Sequence, residues 1–429
     1  MDLLISACGS YGDVLPMVGL GVAAQARGHR AAIIANPYFQ AVIEGAGLEC
    51  VPLGAADEYQ ELTAHPDLWH PLRGARLVLR RGAAAYLRQL FAILQHRARR
   101  GTTLLAAHGL DLASRVVHDA RQIPLATVHF APLAFRSLFD SPRFVGFLAG
   151  DRVPRWAKAA QLWAGDRWMI DPLLCPELNG LRRELGLPNV QRVYHRWIHS
   201  PQLVLGLFPD WFAAPQPDWP ENVQLAGFPL WDSRPDEQLG DDVRRFLDEG
   251  EPPIAFAPGS ANAQAADFFA AAVAICQRLG RRGVLLTKYR QQIPRALPTD
   301  VRHFEFVPFS RLLPRTAAVV HHAGIGTCAQ SLASGTPQLA MPMAFDQFDN
   351  AERLRRLGVG ASVPARRFTA ERAAAALDAL LASPTTAEQC RTWSLRCDGR
   401  RALESAVDAL EAAFLRAIDA PRETAPQNG

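Results

Sequence analysis

Residues 319–327 read Val319-Val320-His321-His322-Ala323-Gly324-Ile325-Gly326-Thr327, and residues 342–350 read Pro342-Met343-Ala344-Phe345-Asp346-Gln347-Phe348-Asp349-Asn350. The apolar run 317–320 has the character of a buried parallel strand. Gly324 and Gly326 allow a sharp turn and a close approach of a ligand to the main chain. Thr327 opens a helical run closed by Gly335 and Pro337, the expected order of stop signals, and 338–341 forms the next strand. Strand, turn, helix, strand, polar loop and helix make up the repeating unit of a parallel α/β sheet.

A glycine turn at a helix N-terminus gathers free N–H groups and the positive end of the dipole at one spot. His322 adds a side-chain donor and Thr327 a hydroxyl, a set that suits a diphosphate. The glycines alone describe an ordinary βα turn with Thr327 as a cap just as well. Asp346 and Gln347, one βα unit later, shift the balance. In an open α/β sheet both loops lie at the carboxyl ends of neighbouring strands, where ligands bind. A carboxylate beside an amide suits sugar hydroxyls.

The ordered pattern His-His-x-Gly-x-Gly-Thr, Gly-Thr-Pro, Pro-x-x-x-Asp-Gln-x-x-Asn-Ala resembles the donor-site signature of the GT-B glycosyltransferases of the UDP-glycosyltransferase-like family 1. Ala323 stands where many bacterial members carry glycine. The resemblance implies an α/β fold of two Rossmann-like domains facing across a cleft, with a C-terminal helix crossing back to the first domain. It implies that Ser260, His322, Gly324, Gly326 and Thr327 hold the donor diphosphate. It places the backbone near Val307 at the nucleobase, and Asp346 and Gln347 at the donor sugar.

At the other end of the chain, 3–7 reads as a buried strand, followed by Gly9-Ser10-Tyr11-Gly12-Asp13, a helix to 26 and a strand at 31–35. The Gly-x-Gly-x-x-Gly spacing of a dinucleotide fold is absent, which weakens a nicotinamide reading. Asp13 reads by itself as a helix cap. In the resembled family this turn carries the catalytic base, and Gly-Ser-x-Gly-Asp-Val-x-Pro is its bacterial form, so the resemblance makes Asp13 the general base.

The 429 residues predict two domains, and a hydrophobic share of 49% is ample for two cores. A net charge of +4 with arginine supplying nearly all the cations does not indicate a nucleic-acid binder. Seven scattered cysteines without a Cys-x-x-Cys pair argue against a disulfide framework and a cysteine zinc site. No Asp-x-Asp pair and no His-Glu-x-x-His zinc helix points to a metal. The N-terminus runs straight into a strand and no apolar run spans a bilayer, so a cytoplasmic protein is expected.

Between these ends, 38–54 reads as irregular and 77–100 as one long helix with an arginine-rich face. That face is an ordinary surface, with contact to anionic headgroups of the inner membrane as the bolder reading. The apolar, aromatic stretch 130–168 predicts a groove for a greasy acceptor, with Arg136, Arg143 and Arg152 near an acidic head. The proline-dense run from 209 predicts the domain connection. The expected boundaries are 1–208 for the acceptor domain, 209–226 for the linker, 227–401 for the nucleotide-sugar domain, and 402–429 for the crossing helix and tail.

Further stretches, including Leu207-Phe208-Pro209, Asp218-Trp219-Pro220 and Gly227-Phe228-Pro229-Leu230, resemble the rhamnosyltransferases of rhamnolipid biosynthesis. This implies a metal-independent, inverting transfer from dTDP-L-rhamnose to a 3-(3-hydroxyalkanoyloxy)alkanoate, with no cofactor beyond the nucleotide sugar. The rival expectations are another dTDP- or UDP-sugar on a polyketide, sterol or carotenoid acceptor, a sugar-nucleotide epimerase, and a non-catalytic activator of a transferase.

Overall fold

The computed structural model describes residues 1–150, 152–232 and 239–419. Two parallel sheets form its frame. The first contains β1 (Asp2–Ala7), β2 (Arg30–Ala35), β3 (Glu49–Pro52), β4 (Thr103–His108), β5 (Leu125–His129), β6 (Leu203–Gly206) and β7 (Val223–Leu225), in the order β3-β2-β1-β4-β5-β6-β7. The second contains β8 (Ile254–Ala257), β9 (Gly283–Leu286), β10 (Val301–Phe304), β11 (Ala318–His321), β12 (Gln338–Ala340) and β13 (Gly360–Ser362), in the order β10-β9-β8-β11-β12-β13.

Each sheet reverses direction once, between β1 and β4 in the first and between β8 and β11 in the second. Such a switch point opens a crevice beyond the carboxyl ends of its strands. The helix start after β1 carries Asp13, and the loops after β8 and β11 carry Ser260 and His322, to these crevices. The central strands are apolar on both faces because helices cover both: β4 and β5 are buried throughout.

The chain end returns to the first domain, as expected. The Gly399–Asp419 helix buries Ala406, Val407, Leu410 and Ala413 in the core built on β1, β2 and β4. Full burial of Val407 and Leu410 is worth about 1.5–3 kcal/mol each, enough to hold the helix there.

Several expectations change. The expected linker, 209–226, contains β7, which pairs with β6, so 223–225 complete the first sheet instead of leaving it. Residues 38–54 are ordered as a 3-10 turn, a short helix and the edge strand β3. The long helix over 77–100 is broken: Arg73–Val78 is α-helical, Leu79–Ala84 forms a π turn, and Leu87–Arg97 resumes the α-helix. The break separates two buried stripes, Leu79 with Ala83 and Leu87 with Leu90 and Leu94, that face the same core. The tail from 420 lies outside the described residues.

Candidate active site

The helix after β11 starts at Ile325, two residues before Thr327, with Gly324 at its N-cap and no side-chain cap. The free N–H groups of this first turn therefore face the crevice unclaimed by a capping side chain. Of the two adjacent histidines, His321 is structural. It is fully buried; its Nδ1 accepts from the Ala323 N–H at 3.1 Å, so its Nε2 carries the proton that faces Gln338 Oε1 at 3.1 Å. That bond holds Ala323 in a left-handed conformation, φ 66°, which explains why glycine suits this position.

His322 is the functional candidate. A Cβ at Gly324 would lie 2.5 Å from its Nε2, so a glycine is required for the imidazole to fold over the turn. Burial pushes its pKa down to about 4, against a smaller pull from the Ala257 carbonyl. A neutral imidazole serves a diphosphate as a hydrogen-bond donor and not as a charge.

The following loop is tied to this turn by Asn350, whose Nδ2 donates to the Ala323 carbonyl (2.9 Å) and to Asp346 Oδ2 (2.7 Å). Asp346 stands at the N-cap of the Gln347–Arg356 helix without making a capping bond. Burial raises its pKa to about 7, opposed by the Asn350 bond and reinforced by the charge of Asp13. Phe345 beside it has φ 56°. Gln347 is buried, and its Oε1 accepts from the Met343 and Ala344 N–H groups at 2.8 and 3.0 Å. Its carbonyl is thus committed to shaping the loop, leaving only Nε2 for a ligand.

Across the crevice, Asp13 sits in the first turn of the Tyr11–Ala26 helix and forms a capping box with Ser10. Its Oδ2 accepts from the Ser10 N–H at 2.7 Å. Gly9 makes room for it: φ is 133°, and a Cβ there would lie 2.2 Å from Asp13 Oδ2. Oδ1 remains for chemistry, 3.5 Å from His108 Nε2. His108 Nδ1 accepts from the Leu110 N–H at 3.1 Å, so Nε2 carries the proton and presents it to Asp13. Asp13 is therefore a cap with one oxygen and turns the other toward His108.

Asp13, Ser260, Val307, His322, Gly324, Gly326, Thr327, Asp346 and Gln347 all line one cavity of about 1150 Å³. The helix starts of the two domains meet in it: a Cβ at Gly326 would stand 3.8 Å from the Gly12 Cα. Among the described residues no group of three or more His, Cys, Asp or Glu is placed to hold a metal.

The 130–168 stretch departs from expectation. Of its described residues only Phe130 lines the cavity; the first-domain wall is built by Tyr38, Phe39, Leu53, Tyr59, Leu62 and Tyr86. The stretch has other work. Phe135 stacks on Trp219 at 4.3 Å. Asp140 bridges to Arg353 (2.9 Å) and Arg356 (2.8 Å), and Arg143 to Glu352 (3.2 Å), fastening the first domain to the second. Arg136 is committed to Asp166. Reading the sequence missed His108, Trp69, Tyr38 and Lys288, all in the same cavity or against it. Only His108 carried a usable signal, its place at the carboxyl end of a strand beside β1.

The family model described as erythromycin biosynthesis protein CIII-like, C-terminal domain, matches residues 283–396. Glycosyltransferase GtfE of Amycolatopsis orientalis is 30% identical over 401 residues, covering 90% of this chain and 91% of GtfE. The chain belongs to this glycosyltransferase family. O-mycaminosyltylonolide 6-deoxyallosyltransferase of Streptomyces fradiae is 28% identical, covering 96% of this chain and 97% of its own. Among solved structures, spinosyn rhamnosyltransferase SpnG superimposes with a TM-score of 0.66 at 19% identity, over 95% of this chain and 100% of SpnG. The glycosyltransferase thus has the GT-B architecture of two Rossmann-like domains.

Proposed function

We propose that the protein moves a sugar from a nucleoside diphosphate to a hydroxyl of a large apolar acceptor, with inversion and without a metal. The observation that carries this reading is the single cavity in which Asp13 of one domain faces His322, the Gly324 turn and Asp346 of the other. Asp13 Oδ1 takes the proton of the acceptor hydroxyl as its oxygen bonds to the anomeric carbon. The bond from that carbon to the diphosphate breaks at the same time. The leaving oxygens collect negative charge where the free amides of the Ile325–Ala333 helix and the neutral His322 donor converge. Ser260 and Thr327 add hydroxyls, Val307 meets the base, and Asp346 with Gln347 Nε2 holds the sugar.

For the donor we propose dTDP-L-rhamnose. The sequence resemblance supports it, and SpnG, a rhamnosyltransferase, has also been solved with thymidine diphosphate. For the acceptor we propose a 3-(3-hydroxyalkanoyloxy)alkanoate, in keeping with the apolar wall of Leu53, Leu62 and Leu68. A polyketide aglycone is the second reading, favoured by the relatives: one is named for O-mycaminosyltylonolide and SpnG was solved with spinosyn aglycone. Intact-mass assays with dTDP- and UDP-sugars against both acceptor classes decide between them. A product in the polyketide arm alone overturns the lipid reading. Unchanged turnover in EDTA is expected; inhibition reversed by magnesium overturns the metal-independent step.

No helix among the described residues is long and apolar enough to cross a membrane. Trp156 and Trp168 are nonetheless 75% and 68% exposed, and Trp168 lines a shallow pocket with Arg73, Arg76, Arg80 and Arg81. We propose reversible contact of this face with an anionic bilayer. Sedimentation with phosphatidylglycerol vesicles, and none with phosphatidylcholine, is the expected result.

A further inference from the structure

The loop between the Ala56–Ala64 and Arg73–Val78 helices belongs to the first domain, yet its Trp69 packs on the second. The indole lies edge-on to the His322 imidazole, with ring centroids 6.1 Å apart, and edge-on to Phe345 at 5.9 Å. Gln264 of the second domain fixes the start of this loop, donating from Nε2 to the carbonyls of Ala64 (3.2 Å) and His65 (2.9 Å). Trp69 thus sits between the side chain assigned to the diphosphate and the loop that carries Asp346, and it lines the same cavity.

One ring nitrogen at this contact lacks a partner: Trp69 Nε1 is buried and without a hydrogen bond. An unpaired buried donor is costly, and native structures seldom keep one without a use. Indole can only donate, so its partner must be an acceptor oxygen. Between His322 and Asp346, that oxygen belongs to the sugar end of the donor.

We propose that Trp69 is a donor-specificity residue, closing over the sugar from the opposite domain and donating its indole N–H to a sugar oxygen. The proposal rests on the placement of the nucleotide sugar between His322 and Asp346. Its consequence is that the sugar subsite is complete only when the two domains stand together, which ties sugar recognition to closure of the cleft.

W69F keeps an aromatic ring and removes the N–H. Calorimetric titration of the full chain and of W69F with dTDP-L-rhamnose, dTDP, UDP-glucose and UDP compares each nucleotide sugar with its own nucleotide. W69F should weaken binding of the accepted nucleotide sugar about five- to tenfold and leave the bare nucleotide within about twofold. W69A, which also removes the ring, should lose more and lower kcat as well. Equal affinity of W69F and the unaltered protein for the nucleotide sugar overturns the proposal. A parallel loss for sugar nucleotide and nucleotide also overturns it, because the N–H then belongs to the diphosphate. Failure of the unaltered protein to bind any of the four overturns the nucleotide-sugar reading together with this one, a result distinct from the other two.

Discussion

The two walls of the cavity are built in opposite ways. The donor wall is a short contiguous text: a turn at 322–326 and a loop at 343–347, joined by one residue, Asn350. Its backbone amides are set by Gly324 and by two non-glycine residues at positive φ, Ala323 and Phe345, and the His322 and Asp346 side chains stand on that frame. The proposed acceptor wall comes from scattered elements: the turn after β2, the Ala56–Ala64 helix, and the π turn with its neighbours. Its groups are side chains packed ring against ring, Tyr38 on Tyr59 at 4.7 Å and Tyr11 on Phe39 at 5.0 Å. A diphosphate is the same ligand in every donor, so backbone geometry serves it. An acceptor differs from enzyme to enzyme, and side chains can change without disturbing the fold.

Substitution at the junction of the two walls should have the largest effect. Asp13→Asn should cut turnover about 10²–10⁴-fold and leave calorimetric affinity for the nucleotide unaltered, because Asp13 lies on the acceptor side. The Asn side chain preserves an acceptor for the Ser10 N–H, so the helix cap should survive. Turnover near normal would reduce Asp13 to its capping role.

A donor-wall change comes next. His322→Ala removes one donor to the leaving diphosphate, with an expected loss of about 10²-fold in kcat and weaker nucleotide binding. Since burial holds its pKa at about 4, the imidazole stays neutral at neutral pH. The effect of the substitution should therefore be flat from about pH 6 to 8. A penalty that grows toward low pH in that range would mean a charged imidazole.

The acceptor wall should yield less. Leu62→Ala removes about two methylenes of contact from an alkyl acceptor, about 1.5 kcal/mol, or roughly tenfold in acceptor KM. Phe144→Ala, in the stretch first expected to hold the acceptor, should stay within about twofold, since Phe144 packs on Phe147 outside the cavity. The reverse ranking would return the acceptor to 130–168.

What could be read from the sequence divides along the same line. Both parallel sheets, the crossing helix and the residues of the two proposed donor-wall turns were legible, because each depends on local periodicity or on a turn whose residues are adjacent; Lys288, a second-domain residue of the same cavity, was not. The composition of 130–168 misled because aromatic residues fill grooves and interfaces alike. Only the ion pairs of Asp140 and Arg143 with the Gln347–Arg356 helix, about two hundred positions away, reveal an interface. The capping use of Asp13 was also legible, but not its pairing with His108, which depends on the β1–β4 neighbourhood. Gln347 lines the cavity, but that its carbonyl is engaged by the loop's own N–H groups could not be read from the sequence.

The smallest expected effect concerns Asp346 and the cost of keeping a carboxyl at the donor wall. Burial raises its pKa to about 7, and Asp13 across the cleft adds to the rise. In the unfolded chain an aspartate ionises near about pH 4. Between these values the folded state holds a proton that the unfolded state has released. This group's contribution to stability is therefore greatest below about pH 4, declines as pH rises toward about 7, and is level above that. Asp346→Asn cannot titrate and keeps an oxygen for the Asn350 amide. Its Tm should thus gain on the unaltered protein as pH rises from about 5 to 8. Asp13→Asn should shrink the same gap by removing the neighbouring charge. Parallel Tm curves for Asp346→Asn and the unaltered protein would show that the carboxylate is ionised throughout, already paired for a sugar rather than waiting to be.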